Sequence, residues 1–131
     1  MARHLAQTNL GQRELDIMQS LWRLTDGTVA DVHAELRSRG IEVAYTTVQT
    51  MLNRMERKGL VARELSDRAH RYRAVLRERM AIGGAIQSIS GRFFRGSREA
   101  LAIHLIETNL TSEQLDRLQR ALDRKRRRNR P

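Results

Sequence analysis

Cysteine is absent from all 131 residues, which excludes disulfides and thiolate metal sites. No apolar run approaches the roughly 20 residues that a membrane-spanning helix needs. The opening segment MARHLAQTNLGQRELD has no apolar core of the kind a secretory signal carries. His4, His33, His70 and His104 are scattered, and none has a histidine partner four residues away, so a metal site is not expected. The chain also lacks a nucleophile–base pair, a pair of catalytic carboxylates and a glycine-rich phosphate loop. These gaps argue against an enzyme, a bound cofactor and membrane insertion, and a soluble cytoplasmic protein is expected.

Acidic residues are short too. Fifteen Asp and Glu face 25 Lys and Arg, for a formal charge of +10 and a pI near 11.5. Such an imbalance points to a polyanionic partner, most commonly nucleic acid, with an anionic membrane surface as the other candidate. The length suits one domain, or a small domain with an appendage.

Along the chain, NLGQRELDIMQSLWRL predicts a first helix with Leu15, Met18, Leu21 and Trp22 as its apolar stripe. Gly11 would cap it, with Glu14 three residues on. LTDGTV predicts a turn with Asp26-Gly27 at its tip, and ADVHAELRSRG a second helix that uses Val32 and Leu36 and closes at Gly40. A third helix follows over VAYTTVQTMLNRMERKGLV, with Ala44, Val48, Met51, Leu52 and Met55 on one face. In LVARELSDRAHRYRAV the period drops towards two. That predicts a β-hairpin with Ser66-Asp67-Arg68-Ala69 at its polar tip. Three short helices and then a hairpin is the element order of a winged helix-turn-helix.

Beyond Leu76 the pattern is helical again. Ile82, Ile86, Ile89 and Phe93 recur at helical spacing, and REALAIHLIE is apolar on almost every side. A last helix starts at a Thr111/Gln114 capping box and carries Leu115, Leu118 and Leu122 as a stripe. Gly83-Gly84 inside a helical pattern implies either close approach of another helix or a break. These helices are too few and too apolar to bury themselves, so a partner chain is expected to cover them. The fold class is therefore mainly α with a small β-hairpin, divided as a winged-helix domain over 1–75 and a helical dimerisation region with a basic tail over 76–131.

The outward face of the third helix carries the chemistry. A solvated face normally holds Glu, Lys and Ala, because β-branched threonine loses rotamer freedom in a helix. Here it holds Thr46, Thr47, Gln49, Thr50, Asn53, Arg54 and Arg57. Short donors and acceptors let a helix enter the major groove; Gln49 can pair bidentately with adenine, and the threonines can reach phosphate or a thymine methyl. Arg54 and Arg57 are placed for phosphate. Arg63, Arg68, Arg71 and Arg73 on the hairpin suit a wing lying along the DNA backbone. The terminal DRKRRRNRP is either a solvated tail or a further DNA contact.

ELDIMQSLW, AYTTVQTMLNRMERKGLV and DRAHRYR, in this order of elements, resemble the penicillinase-repressor (BlaI/MecI-like) family over roughly residues 10–124. The resemblance implies a homodimeric transcriptional repressor of double-stranded DNA with an inverted-repeat operator, and positions 46–50 as carriers of the base and backbone contacts. Antibiotic-response genes of the β-lactamase type would be the targets. Leu101, Leu105, Ile106, Leu115, Leu118 and Leu122 would form the dimer seam. It further implies a membrane-bound sensor protease as a partner, with the cut falling at His104-Leu105 when LAIHLIE is matched to the cleaved region. Histidine stands there where the family's bond has asparagine, so release that is only partly proteolytic is expected. Ala44-Tyr45 and Gln49 also depart from the best-known members, which have Ser-Pro and arginine at these places. Copper-responsive relatives carry a cysteine-rich tail, and the chain has no cysteine. The competing expectation is a winged-helix module that binds RNA or protein without operator specificity. Such a module would not need the groove-compatible face at 46–50.

Overall fold

The computed structural model describes residues 10–131; His4 lies outside them. The elements run α1 (Gln12–Leu24), β1 (Asp26–Gly27), α2 (Val29–Ser38), α3 (Tyr45–Arg57), β2 (Val61–Ser66), β3 (Ala69–Ala74), α4 (Glu78–Phe93), α5 (Arg98–Glu107) and α6 (Ser112–Arg128). The chain divides into two compact units, one reaching through Ile86 and the other covering Gln87–Pro131.

In the first unit, three helices and a three-stranded antiparallel sheet of order β1-β3-β2 enclose one core. Ile17, Met18 and Leu21 come from α1, Val32 and Leu36 from α2, and Val48, Leu52 and Met55 from α3, all with no exposed surface. Each such side chain contributes about 1.5–3 kcal/mol by leaving water. Leu15, expected in the stripe, is only half-buried, and Ile17 takes the inner position instead. Ala44 likewise leaves the expected inner face of α3: it is the N-cap, in extended backbone, and exposed.

The expected turn at Asp26-Gly27 is a short strand. Asp26 pairs with Arg73 and Gly27 with Tyr72, so the segment completes the sheet. Two residues are too few to show a period, which is why only the turn chemistry was visible. The hairpin itself is as the alternation predicts, with Val61 opposite Ala74 and Ser66 opposite Ala69. Its tip, Asp67 at φ 48° and Arg68 at φ 67°, is a left-handed two-residue turn that matches the strands' twist.

Gly40 (φ 77°) and Gly59 (φ 81°) end α2 and α3 in the left-handed conformation that glycine adopts without steric cost. After the hairpin, the Trp22 indole nitrogen donates to the Leu76 carbonyl at 2.9 Å, and Met80 and Ala81 pack on the core. Packing thus carries this unit through Ile86, past residue 75 where the sequence pattern changes.

A polar cluster locks α1 to α2. Arg39 donates to Glu35 at 2.8 Å, to the Asp16 carbonyl at 2.7 Å and to Ser20, whose hydroxyl donates in turn to Glu35. Burial alone would raise the Glu35 carboxyl, but these hydrogen bonds and the Arg39 charge outweigh it and hold the pKa below its ordinary value of 4.5. Glu14 behaves the same way: burial opposes, while Lys58 and the Gly11 amide prevail and lower it.

Helix α4 runs unbroken through Gly83-Gly84, so the break is excluded. A Cβ added at Gly83 would meet nothing within 4 Å. Gly83→Ala is therefore expected to stabilise the protein by about 0.5–1 kcal/mol through backbone entropy. Denaturant unfolding checks this, and a loss of stability instead would mean that another surface lies against this glycine.

In the second unit, Gly96 closes α4 by donating to the Ser90 carbonyl at 2.8 Å, and the Ser97 hydroxyl accepts the Ala100 amide to start α5. The expected capping box opens α6: the Gln114 amide donates to Thr111, and the Thr111 amide to Gln114. Neither α5 nor α6 buries a residue fully. Leu105, Ile106, Leu115, Leu118 and Leu122 are all exposed in the single chain, and Leu101 is half-buried.

Candidate nucleic-acid interface

Val48, Leu52 and Met55 fix the rotation of α3 by facing the core, so Thr46, Thr47, Gln49 and Thr50 all lie on the exposed side. Arg54 and Arg57 continue this face towards the C-terminus and are exposed as well. Neither forms an ion pair among the described residues; nearby Glu14 is taken by Lys58 at 2.8 Å and Glu56 by Arg63 at 3.5 Å. Two guanidinium groups therefore stay available to phosphate. At the other end, the Ala44 cap supplies no side-chain acceptor to the first turn, whose amides carry the positive end of the helix dipole.

The helix is held at its start, middle and end. His33 Nε2 lies 2.9 Å from the Val43 carbonyl oxygen, which can only accept, so that nitrogen carries the proton. The same ring meets Tyr45 edge-on, with centroids 5.8 Å apart. In the middle, the buried Tyr72 of β3 donates to Asn53 Oδ1 at 2.9 Å. At the end, Lys58 reaches Glu14 on α1. These three anchors hold the exposed face of α3 in one direction, as a site that must present its side chains accurately requires.

Asn53 thus turns from the outward set towards the sheet, and His33 is a spacer of the turn before α3. Neither role was visible beforehand, because each depends on a residue ten or more positions away. Tyr45, nearly half exposed at the start of α3, is a further side chain on this surface.

The wing arginines differ from one another. Arg68 sits at the exposed tip without an ion pair among the described residues. Arg71 Nη2 donates to Asp26 at 2.6 Å and lies 3.7 Å from Asp31. That hydrogen bond, with the Asp26 charge, raises its pKa further. A phosphate approaching Arg71 must compete with both carboxylates. Arg63 and Arg73 stand 3.5 Å from Glu56 and 3.9 Å from Glu64.

The dimer-seam candidates on α5 and α6 lie in the second unit, as does His104, which is exposed and tilts against the Phe94 ring at 5.6 Å. Among the described residues no three His, Asp or Glu side chains gather as a metal site, and no helix is long and apolar enough to cross a membrane.

Comparison with known proteins agrees with this architecture. The penicillinase repressor family matches residues 10–124. The transcriptional regulator BlaI of Mycobacterium tuberculosis, from strains CDC 1551 and H37Rv, is 38% identical over 117 residues, spanning 88% of this chain and 83% of the relative. Among solved structures, hsRosR-S4 in its complex superposes with a TM-score of 0.52 at 20% identity, over 81% of this chain and 93% of that one. At that identity the likeness concerns the fold.

Proposed function

Because this chain belongs to the penicillinase-repressor family of winged-helix transcriptional repressors, we propose that it works as a homodimer on an inverted-repeat operator, with antibiotic-response genes of β-lactamase type as targets. The observation that carries the DNA assignment is the outer face of α3: exposed Thr46, Thr47, Gln49 and Thr50, continued by Arg54 and Arg57, which form no ion pair among the described residues. Pairing of two chains is supported by the exposed leucines of α6, which a lone chain leaves in water. Joining two weak readers raises the effective concentration of the second. Footprinting on the DNA upstream of the chain's own gene should show a two-fold symmetric site, with TACA/TGTA-like half-sites the first to try. Protection of a single unsymmetrical half would refute the dimeric mode.

Gln49 should specify, while the arginines mainly hold. Gln49→Ala is expected to cost about 1–3 kcal/mol on the operator and to relax preference at one base pair. Arg57→Ala should weaken all sequences alike and reduce the salt slope by about one unit. Quantitative mobility shifts on operator and scrambled duplexes separate the two. An equal loss on both duplexes for Gln49→Ala would remove its base-reading role.

For induction, we propose that a membrane-bound sensor protease cutting at His104-Leu105 is at most a secondary route of release, because histidine replaces the family's asparagine at that bond. An immunoblot of β-lactam-treated cells tests this. A fragment ending near His104 that rises in step with derepression would make proteolysis the main route.

A further inference from the structure

The family match stops at residue 124, where the most basic part of the chain begins. Arg124, Lys125, Arg126, Arg127, Arg128 and Arg130 follow one another with no acidic residue among them. All are exposed, and none forms an ion pair among the described residues. The nearest carboxylate, Asp123, accepts the Gln119 side-chain amide at 3.1 Å instead of a cation.

Helix α6 nevertheless persists through Arg128, where Asn129 caps it. Arg124, Arg127 and Arg128 therefore share one helical face, around a shallow cleft lined by these three side chains. Like charges at these spacings repel and weaken a helix. A cation or two at the last turn would complement the helix dipole, but that benefit fades within a turn. The last turn alone holds four cations, Lys125 to Arg128, and Arg124 and Arg130 extend the run on either side, so the dipole does not account for it.

We propose that this end of α6 is a second DNA-backbone contact, sequence-independent and additional to the winged helix. Phosphate suits its chemistry, since arginine predominates and its planar fork binds phosphate oxygens in pairs. Residues 123–130 contain no apolar side chain, whereas a helix lying in a membrane interface needs apolar groups on its inner face. The inference rests on DNA binding by the winged helix.

The test compares the full-length protein with Arg124→Gln/Arg127→Gln/Arg128→Gln and with the matching triple lysine variant. Affinity for operator and scrambled duplexes is measured against salt, and flotation with phosphatidylcholine vesicles, with and without phosphatidylglycerol, runs alongside. The glutamine variant should lose about 2–3 units of salt slope per chain. Both duplexes should weaken by the same factor, leaving their ratio unchanged, and lysine should restore most of the slope. An unchanged slope with operator binding intact overturns this contact and leaves the winged-helix assignment standing. So does a lysine variant as weak as the glutamine one, or an arginine-dependent association seen with anionic vesicles and not with duplex. Failure of the unaltered protein to bind any duplex would instead defeat the functional assignment itself.

Discussion

Leu118→Asp is expected to turn the proposed dimer into a monomer while the winged helix stays folded. Leu118 is 43% exposed in the single chain, so aspartate there costs the isolated protomer little. In the proposed seam the same carboxylate would be buried without a partner, which is far more expensive than any contact it could replace. The neighbouring Leu115 and Leu122 are similarly exposed and lie on the same stripe, so one charge interrupts the whole row. Losing the second reading head removes the avidity of two linked modules, a factor of about 10²–10⁴ in operator affinity. Sedimentation gives the mass and mobility shifts give the affinity. An intact dimer of this variant would move the interface elsewhere.

Arg39→Met should destabilise the winged-helix unit by about 3 kcal/mol. The lost guanidinium satisfies Glu35, Ser20 and the Asp16 carbonyl together, and these acceptors stay largely covered without it. Methionine fills part of the volume, so the effect isolates the charge and hydrogen bonds from packing. The sign of the pH dependence follows from Glu35. Its folded pKa lies below the ordinary 4.5, so its stabilising contribution is full above that value and disappears as pH falls through the folded one. The variant loses much of this lowering. Its deficit should therefore be largest near neutrality and shrink in acid below about pH 4. Urea unfolding at several pH values measures it, and a deficit constant with pH would remove Glu35 from the effect and leave it to packing and the hydrogen bonds to Ser20 and the Asp16 carbonyl.

Periodicity exposed the main lines of this fold because they are local. Val48, Leu52 and Met55 recur at helical spacing, and their burial alone turns Thr46, Gln49 and Arg57 outward. Gly40 and Gly59 marked helix ends that the left-handed φ values explain. What escaped the sequence was set by distant partners. Asp26-Gly27 is a strand only because β3 lies beside it, and Asp26 then engages Arg71 from the other side of the hairpin sequence. Asn53 belongs to a polar face by spacing, yet the Tyr72 hydroxyl claims it. Glu35 and Arg39 stand at i,i+4 spacing, but their lock onto Ser20 and the Asp16 carbonyl had no local signature, since those groups belong to another helix.

The wing tip sets a limit on how this protein can vary. Two adjacent residues there adopt left-handed backbone without a glycine between them, a conformation that costs Arg68 roughly 1–2 kcal/mol over glycine and Asp67 less, because aspartate tolerates it. Asn-Gly would relax that turn and would also delete the only charge at the hairpin's end that no carboxylate engages among the described residues. Stability and charge thus pull this position in opposite directions. A lineage selected for heat resistance would drift towards Asn-Gly, whereas one selected for grip on DNA would keep Asp67-Arg68 and tolerate the strain.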